Sequence, residues 1–488
     1  MYSNKVFKII ILCIIKMNIE SVEKCEIFPT NPPANNAYSF KNGFPNVSFQ
    51  ISNQDKLLNT RTLRLNGVFR LQTADGNEAT PQNFRPENTT TGDGAGSARN
   101  GISLNSRVGI PSCIQQITIA TQSNQTLEVI RQYGRYLASV IPVTHSQSDL
   151  DTNQSVGNPA SSSRSFNSAR AVNQDVSFSI PLRCGLFNSG KPIPLGTNGL
   201  RGLLINLELA PDSNVISGFQ QYVQATSEPK ANLTLANPLG TGPYYQMRDL
   251  SITYDLLIPD ETGKNSMTTP STGQFIYNSV SQLYGVLNSS DQTINYNLGT
   301  QNTISLFSNF IPTTFINRYN KDGFSTGELY NSNGGNFDSL ANIKKISFIR
   351  GGLKFPLDYT LDIEKQGIEN RPQTESIIRF IDSIKPINAY NHSLISLNTQ
   401  NGIGDDIGFE NLPTPINDNT LAEPNAKVYG VGINLDPLTR SGVNYKNTNY
   451  GLRIESELDG NNSPNSIFTY VIAKNILTYS PNGIIVQS

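Results

Sequence analysis

Residues 62–71 read TLRLNGVFRL. Leu63, Leu65, Phe69 and Leu71 fall on one side of this stretch, and Arg64, Asn66 and Arg70 on the other. A period of two is the mark of an antiparallel strand with one buried face. The rhythm continues at Ile117 and Ile119, and returns in VSFSI (Val176–Ile180), LLINLEL (Leu203–Leu209) and LSITYDL (Leu250–Leu256). Beyond residue 273 it recurs at Ile343–Ile349, in LDYTLDI (Leu357–Ile363), and at Val428–Leu435, Leu452–Ile454, Ile467–Ile472 and Ile476–Tyr479.

Two segments break the rhythm. Leu127, Ile130, Leu137 and Val140 recur at helical spacing and predict a helix over about 127–140. Ile377, Phe380, Ile381 and Ile384 predict a second. Each is followed by a polar stretch, 146–173 and about 386–426, that reads as a long surface loop. Strand, helix, polar loop, then further strands: the order occurs once in each half, which points to two domains of similar build. Residues 259–273, PDETGKNSMTTPSTG, hold little that could be buried and read as the linker. The expected division is an N-terminal segment 1–27, a first domain 28–258, the linker 259–273 and a second domain 274–488. Domains of that size with about eight strands and long loops fit jelly rolls. The fold class expected is therefore all-β, with short helices in the connections.

Composition supports this. Charged residues make up 15% of the 488, against about 25% in an average soluble domain. The 57 Asn, 38 Gly and 28 Pro suit many turns, because each satisfies a particular turn geometry. Helical bundles need a different composition, and 22 Phe with 20 Tyr are ample for packed cores. The net charge is −1 and no Lys/Arg run exists, which excludes a basic arm as the main function.

Residues 1–17, MYSNKVFKIIILCIIKM, contain an apolar run (Ile9–Ile15) far too short to span a bilayer. Lys16 stands where a signal-peptide cleavage site needs small residues. The expectation is that the protein starts at Met17 and that residues 1–16 are dispensable. Cys13, Cys25, Cys113 and Cys184 show no CxxC, so free buried thiols in a reducing compartment are expected. The sequons at Asn46, Asn88, Asn232, Asn288 and Asn391 are what chance supplies in so Asn-rich a chain.

No stretch of the sequence carries a recognisable catalytic or ligand-binding pattern. Gly92–Arg99, GDGAGSAR, lacks the spacing of a phosphate cradle and reads as a surface loop. Gly430-Val431-Gly432 opens a strand and not a strand-to-helix turn, so it fails the dinucleotide pattern. Asp405, Asp406 and Glu410 lack EF-hand spacing and read as solvated acids. His145 and His392, the only two histidines, lie in polar loops without patterned Cys, Asp or Glu. No catalytic, cofactor-binding or metal-ligating residue is named, no cofactor is expected, and the protein is read as no enzyme. A carbohydrate-binding or adhesive β-sandwich is the alternative, weakened because a protein without Trp lacks the ring such sites commonly stack on a sugar.

FPTNPPANNAYSFKNG (Phe28–Gly43), LRLNGVFRLQ from Leu63, IPLRCGLFNSGKPIPL with LRGLLINLELAPDS (Ile180–Ser213), RGGLKFPLDYTLDIE (Arg350–Glu364), and the whole end from Gly442 to Ser488 form a set of stretches in order. Together they resemble the major capsid proteins of Polinton-like viruses and their virophage relatives. The likeness spans both halves. It implies a double jelly roll, two eight-stranded antiparallel β-barrels in one chain. It further implies homotrimeric capsomers of six barrels that tile an icosahedral shell in the virion, assembled inside the host cell. The partners it implies are further copies of the chain and a penton or minor capsid protein, with no sequence-specific nucleic-acid binding and no membrane insertion.

Overall fold

Strand formation follows the alternation read above, and all pairings are antiparallel. In the computed structural model, the structure describes residues 19–72, 99–103, 108–144, 175–196, 199–221, 244–268, 273–313, 342–356, 359–364, 374–387, 430–436, 442–458, 465–480 and 483–487, with short pieces at 316–317, 324, 329, 397–398 and 402–403. The first half supplies β1 (Ile19–Ile27), β2 (Asn46–Ile51), β3 (Leu57–Gln72), β4 (Ile114–Thr121), β5 (Thr126–Arg131), β6 (Val176–Pro181), β7 (Leu203–Leu209) and β8 (Tyr244–Pro259). They form two sheets, ordered β1-β8-β3-β6 and β2-β7-β4-β5.

The second half repeats this. Its strands are β9 (Gly273–Leu287), β10 (Asp291–Tyr296), β11 (Thr303–Pro312), β12 (Ile343–Arg350), β13 (Leu361–Asp362), β14 (Gly430–Asn434), β15 (Tyr450–Ser456) and β16 (Asn465–Ser480). One sheet runs β9-β16-β11-β14, and the other runs β10-β15-β12, with β13 and Leu353–Lys354 both paired to β12. Adding eight to each strand number converts the first pattern into the second. The order first-eighth-third-sixth against second-seventh-fourth-fifth is the interleaving of a jelly roll, in which consecutive strands alternate between sheets except at the fourth and fifth, which pair as neighbours in one sheet.

Helix α1 (Tyr133–Thr144) joins β5 to β6, and α3 (Thr374–Ile384) lies between β13 and β14, the same place in each roll. Helix α2 (Glu261–Thr268) stands between β8 and β9. Leu63, Leu65 and Phe69 of β3 are buried, as are alternate residues of β7 and β8. These residues and the inward faces of the second roll belong to one continuous buried cluster, so the two rolls share a core.

Three secondary-structure expectations need correction: the helix over 127–140, the strand over 357–363, and the break between 467–472 and 476–479. The helix expected over 127–140 begins only at Tyr133, and Thr126–Arg131 is strand β5, paired to β4. Leu127, Glu128 and Ile130 are all buried, because β5 meets its own core on one side and β9 of the second roll on the other. Burial on both faces erases the period-two signal, and Gln132 with φ 51° then turns the chain into the helix.

Residues 259–273, expected to be the linker, contain α2. Asp260 caps it, its Oδ1 accepting the Gly263 N–H at 2.8 Å, and Lys264 reaches Glu20 of β1 at 3.2 Å. Among the described residues of the alternating stretch 357–363, Leu361–Asp362 form the two-residue β13, and 357–358 lie outside the described residues. The Tyr359 N–H bonds back to the Pro356 carbonyl in a turn, so burial of Leu361 and Ile363 is met without an extended ladder. The separate strands 467–472 and 476–479 are one strand, β16. Strand β1, inside the segment set apart as 1–27, is the edge strand of the first sheet.

Candidate functional site

The glycines of Gly430-Val431-Gly432 serve packing. A Cβ on Gly430 would overlap the Phe380 ring, and one on Gly432 would overlap the Ser383 hydroxyl, so both let α3 lie directly on β14. Gly92–Ala98, His145, His392, Asp405, Asp406 and Glu410 lie outside the described residues. Among the described residues, no three of His, Cys, Asp or Glu gather closely enough to hold a metal ion. Cys113 and Cys184 are buried and free, and burial pushes both thiols well up, which keeps them unreactive. Cys25, in edge strand β1, is only half-buried. Cys13 lies outside the described residues.

Polar groups concentrate instead where the rolls meet. The outer edge of β9 abuts β5 and the short helix Gly185–Asn188. An edge strand carries N–H and C=O groups with no ladder partner, and buried ones must find another. Glu128 of β5 provides one. Its Oε1 accepts the N–H of Val280 in β9 at 2.8 Å and that of Gly185 at 3.0 Å, while Oε2 accepts the Leu186 N–H at 2.8 Å. One carboxyl thus ties an amide of the second roll to two of the first. Burial pushes its pKa up to about 7, against the opposing pull of the three N–H donors and the Cys184 thiol.

Other bonds cross the same seam. The Tyr277 hydroxyl donates to the Leu127 carbonyl at 2.7 Å, and the Tyr470 hydroxyl to the Gln132 carbonyl at 3.0 Å. The Asn309 amide donates to the Ser139 hydroxyl of α1. The Tyr136 and Tyr470 rings lie 5.7 Å apart, and the Arg135 guanidinium sits 4.6 Å from the centre of the Phe468 ring. At Gly185 the two backbones touch: a Cβ there would overlap the Asn278 carbonyl oxygen and lie 2.8 Å from the carbonyl carbon.

Hydrogen bonds of fixed direction between two rigid barrels hold their relative orientation, which a shared apolar core alone would leave loose. Glu128 escaped the sequence reading, although an acid flanked by Leu127, Val129 and Ile130 is the one local signal that could have found it. A second buried acid, Asp212, accepts the Tyr245 N–H at 3.0 Å, and burial pushes it up to about 6.

The surface carries isolated large apolar side chains. Leu353 is 72% exposed at the tip of a tight hairpin, where Gly351 and Gly352, at φ 57° and 86°, make the two-residue turn that only left-handed backbone allows. The Arg350 guanidinium braces its base, donating to the Asn444 carbonyl at 2.9 Å and lying against the Tyr445 ring. Phe28 and Phe44 in the first roll and Ile485 beside β16 are more than half exposed.

No protein-family model matches the chain, and no curated protein matches it by sequence. Solved structures do. PBCV-1 VP54, in a crystal structure fitted into a reconstruction of the virophage Sputnik, superposes with a TM-score of 0.55 at 13% identity, over 97% of each chain. A cryo-EM structure of the Sputnik virophage matches with TM-score 0.54 and 10% identity, over 96% of this chain and 88% of that one. The Faustovirus major capsid protein matches with TM-score 0.53 and 8% identity, over 95% and 91%. At such identities the likeness is one of fold. The chain is a double jelly roll, a fold it shares with these structures over 95–97% of its length.

Proposed function

We propose that this chain is a major capsid protein, a virion structural subunit and not an enzyme. The observation that carries the reading is the pair of complete jelly rolls, locked side by side and alignable end to end with capsid structures. The two rolls are taken as residues 28–258, extended by strand β1, and 274–488, joined through 259–273.

A shell subunit needs stiffness and mutual recognition. The shared core and the seam supply the first. For the second, exposed apolar tips such as Leu353 and Phe28 offer anchors on a surface of low charge, where repulsion between copies is weak. In this reading three copies close into a trimer of six barrels, and trimers meet one another and a penton or minor capsid protein to build an icosahedral shell in the host cell. The subunit neither inserts into a membrane nor reads nucleic-acid sequence.

Light scattering on a sizing column tests this. Three copies of a 53.5 kDa chain should elute as one species of about 160 kDa. A clean monomer at high concentration, with a ligand on a glycan array, would replace this reading with that of an adhesive surface protein.

A further inference from the structure

The seam contains a buried carboxyl whose hydrogen bonds reach from one roll into the other. That group is Glu128, which holds Val280 N–H of the second roll together with Gly185 and Leu186 N–H of the first. We propose that Glu128 makes the joint between the rolls proton-linked, so that the seam opens more readily as this carboxyl loses its proton.

The groups facing the carboxyl are the three amides, the Cys184 thiol, the Tyr133 and Tyr136 phenols of α1, and the Tyr277 phenol of β9, with Arg183 next along the chain from Cys184. Its hydrogen-bond partners are all neutral. An anion enclosed in this way keeps its amide bonds but loses the hydration that a carboxylate enjoys in water. Opening the seam restores that hydration to the anion and offers the neutral acid much less. Ionisation therefore favours the open joint.

The sign follows from linkage. The closed seam holds the carboxyl up to about 7, while an exposed carboxyl titrates near 4.5. A raised pKa in the closed state contributes fully to closure below the exposed value, and the contribution fades as pH climbs to about 7. Across that window the opening equilibrium should rise on the order of 100-fold. The seam would be tightest in mild acid and loosest above neutrality.

Hydrogen exchange on the full chain, from pH 5 to pH 8 and corrected for intrinsic rates, reads this directly at the Leu186 and Val280 amides. Protection there should fall on the order of 100-fold across the range, and the Glu128→Gln variant should show no such slope. Asp212→Asn, which removes the other raised carboxyl, should leave the slope in place. A flat profile in the parent protein, or a slope that survives Glu128→Gln, would overturn the proposal. If Glu128→Gln does not fold, the slope in Asp212→Asn decides: its persistence supports the joint and its loss refutes it.

Discussion

Replacing Gly185 with Ala adds one methyl group at the place where the two rolls touch backbone to backbone. The methyl carbon would overlap the Asn278 carbonyl oxygen, lie 2.8 Å from its carbonyl carbon, and lie 2.9 Å from Glu128 Oε1. No side-chain rotation relieves a clash with backbone, so the Gly185–Asn188 helix must withdraw from β9 by more than about 1 Å. Such a shift carries the Gly185 and Leu186 N–H groups, now 3.0 and 2.8 Å from Glu128, beyond bonding distance. Each buried donor left without its acceptor costs about 1–3 kcal/mol, so the substitution should cost about 2–6 kcal/mol.

For a unit of roughly 200 residues that corresponds to a fall in melting temperature on the order of 10 °C, read by scanning calorimetry at a fixed rate. Gly299→Ala is the control. That glycine has φ 65° and nothing within 4 Å, so it tests backbone strain alone, about 1–2 kcal/mol. If Gly185→Ala melts no lower than the control, with Leu186 exchange unchanged, the close contact of the rolls is refuted.

Three further substitutions and one pH series probe other parts of the argument. Leu361→Asp puts a charge on a fully buried side chain and should cost about 3–5 kcal/mol in denaturant titration. Phe355→Asp should cost less, about 1–2 kcal/mol, because Phe355 is only half-buried and lies beside the Arg350 guanidinium; equal losses would place the chain after β12 wrongly. Gly432→Val would drive a side chain into Ser383 and lift α3 off β14, at about 1–3 kcal/mol, with faster exchange across 377–384 as the local readout. Asp212 and Glu128 both have raised pKa values, so both stabilise the fold below about pH 4, and that contribution is lost as pH rises through about 6 and about 7. The protein should therefore melt higher at pH 5 than at pH 8, and Asp212→Asn should shrink the difference; a higher melting point at pH 8 would contradict the burial of both acids.

Much of the architecture was legible because strands that bury one face announce it. Leu63, Leu65 and Phe69, and the alternate residues of 203–209 and 250–256, are buried as their patterns single out. The helix at 374–384 was equally plain, since Ile377, Phe380, Ile381 and Ile384 make one apolar stripe. Legibility failed at β5, which is covered on both sides, and at β13, where Leu361 and Ile363 satisfy their burial with only a two-residue ladder. The cap of α2 was present as Asp260 followed by Glu261, but the polar composition around it concealed the helix.

Local pattern alone determined that the chain is all-β, that it repeats its order in two halves, and that it offers no patterned catalytic or metal-ligating residues. Those are properties of spacing and composition, which a one-dimensional chain carries in full. The tertiary structure decided how the halves are joined. Glu128, Gly185 and Val280 lie up to 152 positions apart, and nothing in their local sequences says that they meet. Only when both rolls close does the outer edge of β9 come to rest on β5, and only then does an unremarkable acid become the acceptor for three amides. Pairing across such separations is set by the shapes of two folded surfaces, and those surfaces exist only after folding.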